Sequence, residues 1–163
     1  MKHYDAIVIG FGKGGKTLTG AMAKMGMSVA IIEKSEMMYG GTCINVGCIP
    51  SKSLVTSAAE SALRPDAPFE EKAQKYAAAV AEKRRVTGFL RGKNYSKLAD
   101  LPSVDVILGE AGFISPTAVS VKTADGIIEL EADKLFINTG AEPIIKDIPG
   151  LAGNPKVYTS EAL

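Results

Sequence analysis

Tyr4-Asp5-Ala6-Ile7-Val8-Ile9 runs directly into Gly10-Phe11-Gly12-Lys13-Gly14-Gly15, and no other stretch restricts the possible folds as strongly. A nearly continuous apolar run of this length suits a parallel strand buried on both faces. A glycine turn follows, and then Leu18, Met22, Ala23 and Met25 mark a helix that ends at Gly26. Ser28-Val29-Ala30-Ile31-Ile32 forms a second buried strand, closed by Glu33. The order is strand, helix, strand, with Gly-x-Gly-x-x-Gly at Gly10, Gly12 and Gly15. Glu33 lies near the roughly 20-residue distance expected of the acidic residue in a dinucleotide-binding unit. The expected fold class is therefore α/β, a Rossmann-like βαβ built on a parallel sheet in a three-layer domain.

The same letters satisfy a second motif. Gly10 to Thr17 also spells the Gly-x-x-x-x-Gly-Lys-Thr of a phosphate loop. Both motifs aim backbone N–H groups of a helix N-terminus at phosphate, so the loop alone does not choose. The flanks favour the dinucleotide. A phosphate-loop NTPase needs a later strand ending in Asp or Glu to hold Mg²⁺. The best late strand, Lys134-Leu135-Phe136-Ile137-Asn138, ends in Asn and enters Thr139-Gly140. The NTPase reading also leaves Gly12 and Glu33 idle. Glu33 would accept hydrogen bonds from an unphosphorylated ribose.

Residues 40–52 read Gly-Gly-Thr-Cys-Ile-Asn-Val-Gly-Cys-Ile-Pro-Ser-Lys and hold both cysteines, Cys43 and Cys48. Gly47 gives the short loop between them backbone freedom. Pro50 suits a first helical position, so a helix is expected from there toward Leu63. That puts Cys48 near a helix N-terminus, which favours a thiolate. If the first turn includes Cys48, Lys52 lies one turn on, on the same face.

Beyond a turn at Arg64–Pro68, Glu70 to Leu98 reads as a long helix, with a possible break near Gly88 or Gly92. From Val104 the pattern is strand, break, strand. A meander over about 110–133 follows, and then the separate strand Lys134–Asn138. Met22, Met25, Met27, Met37 and Met38 are expected as core filler rather than as soft-metal ligands. The 163 residues carry a formal net charge of +1, so no basic footprint for nucleic acid appears. Lys83-Arg84-Arg85 is expected on a solvated helix face. No apolar run approaches the ~20 residues of a membrane helix, and no signal-peptide pattern is present. A cytoplasmic location is the resulting expectation, a setting where close cysteines are more often redox-active or metal-binding than structural. Two cysteines and one distant histidine fall short of the four ligands of structural zinc, so no metal site is expected.

With these motifs located, the chain resembles the FAD-dependent pyridine nucleotide–disulfide oxidoreductases, the family of dihydrolipoamide dehydrogenase, glutathione reductase and mercuric reductase. The string at 40–52 carries the resemblance. Ile9–Lys13, Met38–Gly41, Asn94–Asp100 and Leu135–Ala141 narrow it to the bacterial reactive-chlorine-resistance branch, which implies a place in oxidative-stress defence. The resemblance implies FAD as cofactor, with its pyrophosphate on Gly10, Gly12 and Gly15 and its adenosine ribose on Glu33. Gly41, Thr42 and Gly140 would line the same cofactor, and Lys34, Gly47, Gly112 and Thr139 belong to the implied set. By the same analogy Cys48 is the thiol nearest the flavin, Cys43 the thiol that attacks substrate, and Lys52 tunes the flavin ring. Electrons would pass from NAD(P)H through flavin to a Cys43–Cys48 disulfide and on to a small-molecule or metal-ion acceptor.

Members of this family are much longer and are homodimeric. Residues 1–150 correspond to the N-terminal part of the FAD-binding domain, and 151–163 to a linker toward an absent NAD(P)H-binding domain. The chain is therefore expected to be an N-terminal fragment, inactive alone. His3 stands before the first strand and is not expected to be catalytic. The rival readings are a phosphate-loop NTP-binding protein, a flavin-free thiol redox sensor, and an interaction module built on the long helix.

Overall fold

The computed structural model describes residues 1–159 and Glu161, so Ser160, Ala162 and Leu163 of the expected linker lie outside the described residues. Strand β1 (Lys2–Ile9) takes in His3, expected ahead of the first strand, because its start pairs with β6 as His3↔Glu131; it leads through the glycine turn into α1 (Lys13–Lys24), and β2 (Val29–Glu33) follows. A 3-10 turn at Glu36–Met38 precedes α2 (Thr42–Asn45) and α3 (Cys48–Ala62). Then come α4 (Phe69–Ala99), β3 (Val104–Leu108), β4 (Glu110–Phe113), β5 (Ala118–Thr123) and β6 (Gly126–Ile137). The strands form one mixed sheet in the order β3-β2-β1-β6-β5-β4. Pairing is parallel from β3 to β6 and antiparallel among β6, β5 and β4.

The chain divides into two compact units, Met1–Gly41 with Arg91–Gly140, and Thr42–Leu90 with Ala141–Leu163. The first unit holds the sheet. One face packs Ala6, Val8, Val29 and Ile31 against Met22 of α1 and Leu98 at the end of α4. The other face packs Ile7, Ala30 and Ile32 with Val119, Val121 and Leu130 of the meander. Helices on one side and meander on the other bury Ala6–Val8 of β1 and Val29–Ile32 of β2 on both faces, which is why those stretches read as apolar runs.

Strand β6 differs from the expected pair of separate strands. Residues 126–131 pair with β5, and Leu130 onward pairs with β1, ending at Ile9↔Ile137. No Gly or Pro interrupts Ile127–Asn138, and Leu130 and Ala132 alternate inward, so one strand serves both halves of the sheet. The break expected in α4 is also absent. Nothing lies within 4 Å of where a Cβ of Gly88 or Gly92 would sit, so nothing packs there to bend the helix. A helical glycine keeps its backbone hydrogen bonds and costs only about 1 kcal/mol. Met22 is core, as expected, but Met25 and Met37 are 70% and 56% exposed.

The second unit contains α2, α3 and most of α4. The α3–α4 turn is held by Arg64 on Glu71 at 2.7 Å and by Lys72 Nζ donating to the Pro65 carbonyl at 2.6 Å. Arg85 makes a two-pronged contact with Glu82 at 2.7 Å on the exposed side of α4.

At the other end of the sheet from the glycine turn, Lys2 Nζ and Tyr4 Oη both donate to Asp105 Oδ2, at 2.5 and 2.6 Å. The Lys2 bond, then the Tyr4 bond, holds the Asp105 carboxyl below its ordinary range. Asp5 is lowered in the same direction by the Ser28 backbone N–H and hydroxyl. A carboxylate depressed in the native state contributes stability above its unfolded pKa and loses it as pH falls through its native value. Thermal midpoints measured on the acid side are therefore expected to fall less steeply in Asp5→Asn/Asp105→Asn than in the native chain. Equal slopes would mean these pairs contribute nothing.

Candidate cofactor cradle and dithiol site

The parallel strands end together, and the glycine turn leaves β1 where the strand order reverses between β2 and β6. In open α/β sheets that crevice is where ligands bind. Gly10 has φ +106° and donates its N–H to the Ile32 carbonyl at 2.8 Å. A Cβ on Gly10 would lie 2.2 Å from the Asn138 carbonyl oxygen, and one on Gly15 would lie 2.3 Å from the Gly10 oxygen. Gly41, at φ +84°, closes on the turn so tightly that its Cβ would sit 2.7 Å from the Cα of Gly12. These glycines are required by close backbone approach.

Glu33 is buried at the end of β2 and serves the turn directly. Its Oε2 accepts from the Phe11 N–H at 2.9 Å and its Oε1 from the Ser35 N–H at 3.2 Å. Phe11 is fully buried and meets Tyr39 edge-on, with ring centroids 5.1 Å apart. Burial, followed by the neighbouring Tyr95, Glu36 and Glu33, raises the Tyr39 phenol above its ordinary value, so it stays neutral at physiological pH. The Gly40 N–H donates to the Phe11 carbonyl at 3.2 Å.

The cradle suits an anionic dinucleotide. Gly12 caps α1 with no side-chain hydrogen bond, and the first turn has no acidic residue. The first N–H groups of a helix have no intrahelical partner, so this end presents donors and the positive pole of the dipole. The phosphate-loop alternative loses its chemistry. Lys16 Nζ bonds to Asn94 Oδ1 on α4, and the Thr17 hydroxyl donates back to the Lys13 carbonyl at 2.7 Å. The two side chains an NTPase would turn toward phosphate and Mg²⁺ are engaged elsewhere.

Other expected cofactor residues are placed as follows. Lys34 is exposed immediately after β2, and Gly112 is exposed on edge strand β4 opposite Ser120. Thr139 and Gly140 are exposed beyond β6, with Gly140 at φ +77°. Asn138 escaped the sequence reading as a site residue, although its side chain reaches Gly10. Its place at the end of a strand parallel to β1 was the available signal.

In the second unit, Thr42 opens α2 and Cys43 follows it, while Gly47 caps α3. Cys48, not Pro50, is the first helical residue, and Pro50 is the third. Proline is still accommodated there, because the third N–H of a helix has no acceptor within it. Ser51 fastens the turn by donating its N–H and its hydroxyl to the Gly47 carbonyl, at 3.2 and 2.7 Å. A Cβ on Gly47 would lie 3.0 Å from the Thr42 oxygen and 3.5 Å from the Cys43 Cα, so α2 packs against the glycine that precedes Cys48. Cys43 and Cys48 are both exposed thiols, with no disulfide between them. Lys52 is exposed one helical turn beyond Cys48.

A sheet with a glycine-packed turn after its first strand, followed in the chain by a Cys-x-x-x-x-Cys helix start, is the pattern of a class of redox flavoproteins. The chain belongs to the pyridine nucleotide-disulphide oxidoreductase family, which matches residues 4–162. It is 45% identical, over its full length, to 34% of the probable pyridine nucleotide-disulfide oxidoreductase RclA of Escherichia coli K12. It is 33% identical to a mercuric reductase of Lysinibacillus sphaericus, with 91% of this chain aligned to 27% of that one. The solved Cu(II) complex of the HOCl-induced flavoprotein disulfide reductase RclA from Escherichia coli superimposes with a TM-score of 0.87. That match covers 99% of this chain and 34% of the other. The chain thus spans about a third of the length of the relatives it matches. No helix among the described residues is long and apolar enough to cross a membrane.

Proposed function

We propose that this chain is the part of a flavoprotein oxidoreductase that holds FAD and carries its reducible thiol pair. The observation that carries the reading is the turn Gly10–Gly15, whose Gly10 and Gly15 have no room for a side chain and which enters α1 at an N-terminus with no side-chain cap. The first-turn N–H groups of α1 suit a pyrophosphate. Glu33 retains lone pairs for ribose hydroxyls after accepting from Phe11 and Ser35, because each carboxylate oxygen takes two hydrogen bonds. Lys34, Gly41, Thr42, Gly47, Gly112, Thr139 and Gly140 are assigned to the cofactor by likeness to the family.

Bound FAD would supply two-electron transfer between a nicotinamide and a disulfide. The chain's own contribution is the pair Cys43 and Cys48. As a disulfide it takes up two electrons and two protons to give two thiols, and it returns them when an acceptor is reduced. We assign Cys48 to the flavin side, Cys43 to the acceptor side, and Lys52 to tuning the ring. NAD(P)H is the donor. The acceptor is a disulfide, a quinone or a soft metal ion, for which thiolates are suited. In the whole protein we infer a cytoplasmic homodimer serving oxidative-stress defence, and we expect no NAD(P)H turnover from the 163 residues alone.

An absorption spectrum of the purified chain titrated with FAD tests the reading. Flavin bands that shift and saturate at one FAD per chain are the expected result. Titration that leaves the flavin spectrum unchanged would remove the cofactor assignment. It would favour a flavin-free thiol protein.

A further inference from the structure

We propose that Asn138 is a positioning residue that clamps the Gly10–Phe11 peptide, and that Gly14 is glycine to make room for it. The proposal rests on the nucleotide reading of the turn. Two strands beside β1 supply the two jaws. The Gly10 carbonyl accepts from Asn138 Nδ2 at 3.2 Å, and the N–H of the same peptide unit donates to Glu33 Oε2 at 2.9 Å. Both polar ends of one peptide plane are therefore held, one from the end of β6 and one from the end of β2. Asn138 is itself registered by its backbone N–H, which donates to the Ile9 carbonyl at 2.8 Å.

The glycines around the clamp match this geometry. Cβ atoms on Gly12 and Gly15 would lie 3.1 and 2.8 Å from Asn138 Nδ2, and one on Gly14 would lie 2.8 Å from Oδ1. The dinucleotide fingerprint accounts for Gly10, Gly12 and Gly15 but makes no demand at Gly14. A glycine inside a helix costs about 1 kcal/mol relative to alanine. That cost is explained here by the amide oxygen filling the space a methyl would need. Holding the Gly10 peptide keeps its carbonyl turned onto Asn138, so that the turn leads into α1 with N–H groups, not oxygens, toward an anion. An aspartate would have the same size but no donor, and would set an acceptor against the Gly10 carbonyl and a negative charge at the helix N-terminus.

FAD titrations and thermal midpoints of the native chain, Asn138→Asp, Asn138→Ala, Gly14→Ala and Gly14→Ala/Asn138→Ala test the clamp. Asn138→Asp is expected to weaken FAD binding by roughly tenfold, the scale of one hydrogen bond lost in the cradle, and by more than Asn138→Ala does. A space-filling residue would give the opposite order, because Asp keeps the volume. Gly14→Ala is expected to lower the midpoint of the native chain and to raise it in the Asn138→Ala background, where the helix propensity of alanine acts unopposed. Native-like FAD affinity in Asn138→Asp, or Ala weaker than Asp, would overturn the clamp. If the native chain binds no FAD, the nucleotide reading fails instead. The sign change at position 14 then still decides whether Asn138 holds the turn, and the same sign in both backgrounds would overturn it.

Discussion

Gly10→Ala should lower the stability of the chain by about 3 kcal/mol or more, and should abolish any nucleotide binding with it. Two penalties add at this residue. Gly10 sits at φ +106°, where a side chain costs roughly 1–2 kcal/mol. The new Cβ would also stand 2.2 Å from the Asn138 carbonyl oxygen, a backbone atom just past the end of β6 that has no rotamer to escape into. Overpacking of this kind typically costs a further ~1–3 kcal/mol. Gly26→Ala is the control. It has φ +82° but nothing within 4 Å of its Cβ position, so only the conformational penalty applies. Urea midpoints of the two variants check the comparison. Equal losses would mean that close approach to Asn138 contributes nothing.

Replacing either cysteine by serine should remove the oxidised form of the chain completely. The 163-residue chain has two cysteines, Cys43 and Cys48, both present as thiols. Mild oxidation is expected to remove both from a thiol titration, and a reductant to restore both. Cys43→Ser and Cys48→Ser each leave one thiol, which is expected to remain titratable in the monomer under the same treatment. Gly47 tests the geometry without touching sulfur. A Cβ there already meets the Thr42 oxygen at 3.0 Å, so Gly47→Val, with a branched side chain, should push α2 from the start of α3. Slower disulfide closure is the expected consequence, with both thiols still present. Closure at the native rate would show that the α2–α3 contact does not prepare the pair.

Periodicity made the central strands and α1 legible. Ala6–Ile9 of β1 and Val29–Ile32 of β2 lie in the core and are apolar, and a short glycine turn followed by a 3.6-residue pattern admits few alternatives. Boundaries set by local hydrogen bonding were harder to read. Pro50 marked a helix start, but Ser51 bonds back to Gly47 and draws Cys48 into the first turn. Gly88 and Gly92 suggested a break in α4 that does not occur, because a solvent-facing glycine weakens a helix without interrupting its ladder. The two segments read as separate strands from Ile127 to Asn138 are one strand, since the change of partner from β5 to β1 happens in mid-strand and leaves no mark in the sequence.

By itself the sequence determined the βαβ, the glycine turn, the acidic residue closing β2 and the position of the thiol pair. Each depends on neighbours within one or two elements. Only the tertiary structure showed that Glu33 and Asn138 grip opposite ends of one peptide, that Lys16 turns to Asn94, and that Gly41 folds down onto Gly12. Those contacts join residues far apart in the chain. The grip of Glu33 and Asn138 arises because β2 and β6 are laid on either side of β1, a juxtaposition that no local pattern encodes.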